Sequence, residues 1–111
     1  MAGVDFYITE FEPEIQRRLV LIRLTALDVF RDVEERIYRV PAFFMIGGKS
    51  IMCYRACKSH ITIHLGYERV NQLKTRYPQY RYTKYTILLL NKDPFPNELI
   101  REICELLWED R

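Results

Sequence analysis

The sequence predicts an α+β fold with two layers, in which N-terminal and C-terminal helices pack on one face of an antiparallel sheet. A stripe of apolar residues at helical spacing follows Pro13, and a second such stripe follows Pro96. Between them lie short segments rich in β-branched and aromatic residues, most of them separated by turn signals. Such segments form an antiparallel meander, and the flanking helices cover one of its faces. We expect a single domain over residues 1–111, because two cores of half this length would each be too small.

The first long helix is predicted over roughly Glu12 to Phe30. Thr9 is its predicted N-cap, because the hydroxyl can accept a hydrogen bond from an unpaired N–H group of the first turn. Pro13 is tolerated in that turn because its missing N–H would have no partner within the helix. The apolar residues recur every three or four positions, at Ile15, Leu19, Ile22, Ala26 and Val29.

Four segments after this helix are predicted as strands, with the sequences ERIYRV, AFFMIG, KSIMCYRAC and HITIHLG. Gly47-Gly48 is predicted to form a hairpin turn because glycine adopts positive φ at little cost, and Lys58-Ser59 is short enough to close a second hairpin. In the last segment, apolar residues alternate with His60, Thr62 and His64. The alternation predicts a sheet with one buried face and one open face.

Two helices and one strand complete the predicted fold. Val70, Leu73 and Tyr77 have helical spacing and predict a short helix that ends before Pro78. The segment YTILLL is predicted as a further strand, and the last helix follows the prolines of NKDPFPNELI. Its apolar stripe consists of Leu99 or Ile100, Ile103, and Leu106 or Leu107.

Composition limits the classes of function and the compartment. The net charge of +2 produces no field over the whole protein that would favour nucleic acid, so only a local patch could bind it. Three cysteines without a CxxC spacing support neither a disulfide framework nor a zinc motif, which fits reduced thiols in the cytoplasm. The start MAGVDFYITE lacks the features of an export signal, and the apolar run LVLIRLTAL is shorter than the ~20 residues of a membrane span.

Five motifs are spread over nearly the whole chain. They are Glu35-x-x-Tyr38-x-x-Pro41-x-Phe43, Gly48-Lys49, Lys58-x-His60-Ile61, Thr83-Lys84-x-Thr86-Ile87 and Pro96-x-x-Leu99-Ile100. Together they resemble the YdhG-like family, known as domain of unknown function 1801. The resemblance implies a frataxin-like fold and, because a bacterial member has been proposed as an intracellular iron chaperone, a role in handling iron or a metal cofactor. The family pattern has glycine where this chain has Tyr85, and Gly-Met where it has Arg39-Val40.

Carboxylates are the side chains to consider for iron, because hard oxygen ligands suit this metal. Four acids are candidates, two before or within the first strand and two on the last helix: Glu34, Glu35, Glu98 and Glu102. The alternative interpretation is that the helix acids form a solvated face. Arg17, Arg18 and Arg23 occupy the middle of the first helix, where a frataxin-type ridge would carry acids. The sequence therefore offers a weak cation site and no dense acidic ridge.

Histidine and cysteine spacing argues against a chelating or catalytic site. His60 and His64 lie about 13 Å apart on a straight strand that rises ~3.3 Å per residue, which is too far for one ion. No nucleophile elbow, P-loop, zinc-protease or dinucleotide motif occurs in the sequence. Cys57 near His60 is the one pairing of a nucleophile with a base, and no orienting group accompanies it. We predict a binding protein without catalytic activity.

The working surface is predicted to be the open sheet face. Its candidate ligand-binding residues are Tyr38, Lys58, His60, Thr62, His64, Tyr82 and Lys84. The first functional hypothesis, from the resemblance, is iron or metal-cofactor handling through protein and cation contacts. The second is a nucleic-acid-binding module that uses the basic and aromatic segment 76–85, with Tyr80, Tyr82 and Lys84 pointing outward. The third is a site for a small anionic metabolite, with charge supplied by the lysines and histidines of the open face.

Overall fold

The structure, a computed structural model, describes residues 3–111. The helices are α1 (Val4–Thr9), α2 (Pro13–Val29), α3 (Tyr67–Arg76) and α4 (Asn97–Glu109). The strands are β1 (Val33–Tyr38), β2 (Val40–Met45), β3 (Ser50–Ala56), β4 (His60–His64), β5 (Arg81–Tyr82) and β6 (Thr86–Leu90). No helix within residues 3–111 is both long enough and apolar enough to cross a lipid bilayer.

All six strands form one antiparallel sheet in the order β1-β2-β3-β4-β6-β5. Apolar residues from all four helices form a single core with one face of this sheet. Leu19 and Ile22 of α2 and Ile103 of α4 have no exposed surface, because α2 and α4 pack on each other and on the strands. No helix among residues 3–111 packs on the other sheet face. The predicted two-layer α+β architecture is therefore confirmed.

The N-terminal region differs from the prediction. Thr9 does not cap α2, because it is the last residue of α1 and its hydroxyl donates to the carbonyl of Phe6 at 2.7 Å. Glu12 is the N-cap of α2, and Pro13 supplies the first helical residue with a preset φ. The unpredicted helix α1 contributes Val4, Tyr7 and Ile8 to the core. Its six residues are too few to show a helical period clearly in the sequence.

The first predicted strand is divided by Arg39, which turns the chain between β1 and β2. Arg39 has φ 72°, in the left-handed region that favours glycine. The prediction of one continuous ERIYRV strand is therefore wrong at its end, because Val40 already pairs back with Tyr38. The predicted turn at Gly47-Gly48 is confirmed, and Gly47 has φ 81°.

The sheet opens where β2 and β3 diverge. These strands pair from Ala42 to Phe44, opposite Cys53 to Ser50, and a register shift interrupts the pairing between Phe43 and Phe44. Pro41 precedes the paired residues and has no N–H group to donate to β3. On the helix side of the gap, the hydroxyl oxygen of Tyr7 accepts a hydrogen bond from the backbone N–H of Ala56 at 3.0 Å. A side chain of α1 thus replaces a strand partner.

Candidate functional site

A cleft of about 560 Å³ lies at this gap between β2 and β3. Its walls come from three places, which are the open sheet face, the β1–β2 turn and helix α1. From the open face it takes Cys53, Arg55, Thr62, His64 and Thr86, from the turn Tyr38, Arg39 and Val40, and from the helix side Tyr7, Phe11, Tyr54 and Ala56. The cleft therefore connects the open face with groups on the other side of the sheet.

Strand register places the polar side chains of the open face next to one another. Cys53 is opposite His64, which is in turn opposite Thr86, so these residues form one row across three strands. Arg55 is opposite Thr62 in the next row. Directly opposed residues in antiparallel strands share a face and have Cβ atoms roughly 4.5–5.5 Å apart. A thiol, an imidazole, hydroxyls and a guanidinium are therefore gathered within reach of one small molecule.

Two arginines define the mouth of the cleft. Arg39 and Arg55 are both exposed, and neither forms an ion pair within the part of the chain that the structure describes. Tyr38 stands beside them with 63% of its surface exposed and its ring edge-on to Phe44 at 5.9 Å. The guanidinium of Arg36 donates to the Tyr38 hydroxyl at 3.4 Å and also lies over the ring of Phe44. The mouth is positively charged and partly aromatic.

Two buried phenols line the cleft from the helix side of the sheet. Tyr7 is 9% exposed and Tyr54 is 1% exposed, and burial raises the pKa of both hydroxyls. Both side chains therefore stay protonated at neutral pH. The ring of Tyr54 packs on Phe43 with centroids 6.4 Å apart, and its hydroxyl has no hydrogen-bond partner among residues 3–111. An unpaired buried hydroxyl is uncommon and calls for a physical explanation.

The structure brings three of the residues predicted from the sequence together. Tyr38, Thr62 and His64 all line the cleft. His60 lies at the far end of β4, opposite Leu90, with its Nδ1 atom 3.3 Å from the hydroxyl of Ser59. Lys58 is exposed in the β3–β4 turn beyond it. These last two residues share the open face or its edge with the cleft but do not line it.

Tyr82 lies on the helix side of the sheet, so its predicted outward orientation is wrong. Its hydroxyl donates to the carbonyls of Leu73 at 3.3 Å and Tyr77 at 2.8 Å, and burial raises the pKa of the hydroxyl to about 12. The orientation follows from pairing with Ile87, which belongs to the core. Tyr80 is also partly buried against the core. The predicted platform of three outward residues therefore does not form.

Lys84 is exposed near the other end of the open face. Its Nζ atom lies 5.9 Å from the ring centroid of Tyr67 and 5.5 Å from that of Tyr85. Tyr85 in turn stacks on His64 with centroids 6.1 Å apart. The large side chain at position 85 thus covers one side of a cleft residue without lining the cleft itself.

The four candidate metal ligands lie on two different elements, and three of them contact arginine. Glu34 and Glu35 are on the edge strand β1, where Arg36 lowers the pKa of Glu34 and Arg23 binds Glu35 at 2.8 Å. Glu102 on α4 accepts from the Tyr77 hydroxyl at 2.6 Å and from the guanidinium of Arg76. Within residues 3–111, no group of three or more histidine, cysteine, aspartate or glutamate side chains could hold a metal ion. Glu98 is exposed on the first turn of α4.

Several cleft residues were not predicted from the sequence. Arg55 could have been found, because Met52, Tyr54 and Ala56 alternate inward and therefore place Arg55 on the open face. Tyr7 could not, since it belongs to the unpredicted helix α1. Arg39 lines the cleft because of a turn in which it has a positive φ, and this conformation is unfavourable for arginine.

One solved structure gives a close match in fold. The crystal structure of YdhG from Bacillus subtilis, a protein from the DUF1801 family, is similar with a TM-score of 0.82 and 15% sequence identity, over 96% of this chain and 88% of that one. No protein-family model and no curated protein matches the sequence. At this identity the likeness shows the fold. The resemblance to the YdhG-like family that the motifs predict is confirmed at that level.

Proposed function

We propose that this protein binds a small organic anion in the cleft between β2 and β3, without catalysing a reaction. The observation that carries the proposal is the pair of exposed arginines at the mouth, Arg39 and Arg55, which have no acidic partner within residues 3–111. A guanidinium presents a fork of N–H donors that matches a carboxylate or phosphate group. An anion bound there would supply the counter-charge.

The size and lining of the cleft support a ligand of this class. Its volume of about 560 Å³ lies within the range of roughly 300–1,000 Å³ that is common for small-molecule sites. Phe11 and Val40 supply apolar surface, whereas Thr62 and Thr86 supply hydroxyl groups. Few polar groups on a partly apolar wall are typical of sites that orient an organic ligand. His64 adds an imidazole to the same wall.

The proposal can be tested with simple anions and amide chemical shifts. Benzoate and inorganic phosphate are added in separate titrations, with benzyl alcohol as the uncharged control. We expect saturable shifts at Arg39, Arg55 and Thr62 with the anions and none with the alcohol. Arg55→Gln should weaken binding by about ten-fold, because a charge-assisted hydrogen bond is lost. Arg31→Gln is the matched control.

Arg31 is suited to that role because it is exposed, lies between α2 and β1, and is absent from the cleft lining. An equal loss of affinity in Arg31→Gln and Arg55→Gln would contradict a site at the cleft. The loss would then follow from the lower net charge of the protein and not from a contact with the ligand. The absence of saturable shifts with both anions at millimolar concentration would also contradict the proposal.

Iron or metal-cofactor handling, which the resemblance implies, stays a prediction. A cation at Glu34, Glu35 or Glu102 would have to displace the arginines that these acids contact. The nucleic-acid hypothesis also stays a prediction, but fewer groups of segment 76–85 support it. Tyr82 is directed to the helix side, and Arg76 binds Glu102. The cytoplasmic location stays a prediction as well.

A further inference from the structure

We infer that the ligand of this cleft carries, besides its anionic group, a neutral hydrogen-bond acceptor such as a carbonyl oxygen, to which the buried hydroxyl of Tyr54 donates. The inference rests on the proposed function and specifies its ligand as a small molecule with two different ends. The anionic end lies at the mouth with Arg39 and Arg55, and the carbonyl end reaches into the gap between β2 and β3.

Tyr54 lines the cleft and is 1% exposed, yet its hydroxyl has no hydrogen-bond partner in the described part of the chain. Folding removed the hydroxyl from water without giving it another partner, which is unfavourable. Packing on Phe43 fixes the ring at a centroid separation of 6.4 Å, so the hydroxyl is held in place. A ligand oxygen would satisfy it.

Tyr7 belongs to the same wall of the cleft. Its hydroxyl oxygen accepts a hydrogen bond from the N–H of Ala56 at 3.0 Å, and no acceptor among residues 3–111 pairs with its O–H group. Two phenolic O–H groups of the cleft lining therefore lack an acceptor within residues 3–111. Phenols that remain protonated are donors, so a ligand group that pairs with them accepts hydrogen bonds.

The charged side chains near Tyr54 favour a neutral over a charged acceptor. Burial raises the pKa of the Tyr54 hydroxyl, and the negative charge of the nearby Glu35 carboxylate adds to this effect. Arg23 already neutralises that charge, since it binds Glu35 at 2.8 Å and Asp5 at 2.5 Å. A second anion at this depth would lose its hydration, and Arg23 is already paired and could not offset its charge. A neutral carbonyl carries no charge that has to be offset.

The inference can be tested with two molecules that differ in one atom group. 4-Acetylbenzoate has a carboxylate at one end and a ketone at the other, and 4-isopropenylbenzoate replaces the ketone oxygen with a CH₂ group of similar shape. We expect calorimetry to show that the unmodified protein binds 4-acetylbenzoate about five- to ten-fold more tightly, as expected for one hydrogen bond. In Tyr54→Phe the two affinities should become equal within about two-fold.

The folded state of the variant is checked by thermal unfolding. Tyr54→Phe removes an unpaired hydroxyl and keeps the ring, so its Tm should equal or exceed that of the unmodified protein. If Tyr54→Phe loses the preference for the ketone while its Tm is undiminished, the loss is caused by removal of the hydroxyl and not by unfolding.

Each outcome separates the inference from the proposed function. Equal binding of the two probes to the unmodified protein, or a ketone preference that survives in Tyr54→Phe, would overturn the inference while leaving anion binding in place. In that case Arg55→Gln would still weaken both probes. If neither probe binds although benzoate or phosphate does, the inference alone is overturned. If benzoate and phosphate also fail to bind, the proposed function is overturned with it.

Discussion

The hydroxyl oxygen of Tyr7 accepts a hydrogen bond from the backbone N–H of Ala56 at 3.0 Å. This contact joins a helix near the N-terminus to the end of a central strand, 49 positions away in the chain. It lies where β2 has already left β3, so the N–H would otherwise have no protein partner at the gap. The cleft can open there because the phenol closes the exposed edge of β3.

Replacement of Tyr7 by phenylalanine should therefore destabilise the fold. Tyr7→Phe leaves the buried N–H of Ala56 without an acceptor, and we expect a loss of about 1–3 kcal/mol in the free energy of unfolding. Urea unfolding followed by circular dichroism measures this loss. Tyr67→Phe is the control, because Tyr67 is 54% exposed and its hydroxyl makes no hydrogen bond within residues 3–111. Equal stabilities of the two variants would show that water replaces the phenol without cost.

Replacement of Arg39 by glycine should stabilise the β1–β2 turn. Arg39 has φ 72°, a conformation that costs an ordinary residue roughly 1–2 kcal/mol. Glycine avoids this cost but loses more chain entropy on folding, so we expect a net gain of about 0.5–1 kcal/mol. Thermal unfolding of Arg39→Gly is compared with that of Arg31→Gly, where φ is not positive. A decrease in Tm as large as that of Arg31→Gly would argue against strain at this turn.

The cluster of Glu102, Tyr77 and Arg76 should make stability depend on pH. The hydrogen bond from Tyr77 and the guanidinium of Arg76 lower the pKa of Glu102 in the folded state. In the unfolded chain Glu102 has the higher, ordinary glutamate pKa. At pH values between the folded-state and unfolded-state pKa of Glu102, the unfolded chain therefore binds more protons than the folded protein, and the free energy of unfolding falls as the pH decreases through that interval. Above the unfolded-state pKa, the cluster contributes its full stabilisation.

Glu102→Gln should reduce this acid-induced loss of stability and lower stability at neutral pH. The measurement is urea unfolding at a series of pH values between neutrality and about pH 3, below the usual glutamate pKa. Glu98→Gln serves as the control, because Glu98 is exposed on the same helix and forms no ion pair within residues 3–111. Parallel pH profiles of Glu102→Gln and the unmodified protein would contradict the prediction.

Ferrous iron should bind weakly at the four acids selected from the sequence. The pairs Arg36–Glu34, Arg23–Glu35 and Arg76–Glu102 must open before those carboxylates can become ligands. We expect dissociation constants on the order of millimolar or weaker in anaerobic titrations followed by amide line broadening. Saturable binding at lower concentration that is abolished by Glu102→Gln would instead support the iron hypothesis.

Periodicity is sufficient to predict most of the elements that carry the core, with the exception of α1. The stripes of α2 and α4 and the alternation in β4 arise from burial on one side, which the sequence records directly. The side of the sheet on which Tyr82 lies could not be predicted, because β5 has only two residues and two residues show no alternation of buried and exposed positions. The pairing of Tyr82 with Ile87 determines that side, and this pairing depends on the tertiary structure.

The cleft itself was beyond sequence reasoning for a related reason. It depends on the divergence of β2 from β3, on the short helix α1 and on a left-handed residue in the preceding turn. None of these features leaves a period in the sequence. Tyr38, Thr62 and His64 were nevertheless found, since a family motif or strand alternation selected them independently of the cleft.

The two edges of the sheet have unequal lengths, and this affects how the protein behaves at high concentration. β5 has only two residues and offers little backbone for an added strand. β1 is longer, with six residues, but its open face carries the ion pair of Glu34 and Arg36 at 3.1 Å. A second chain that extended the sheet at β1 would have to desolvate these charges, which natural edge strands use to discourage such growth. The charged edge therefore protects the protein against aggregation into extended sheets.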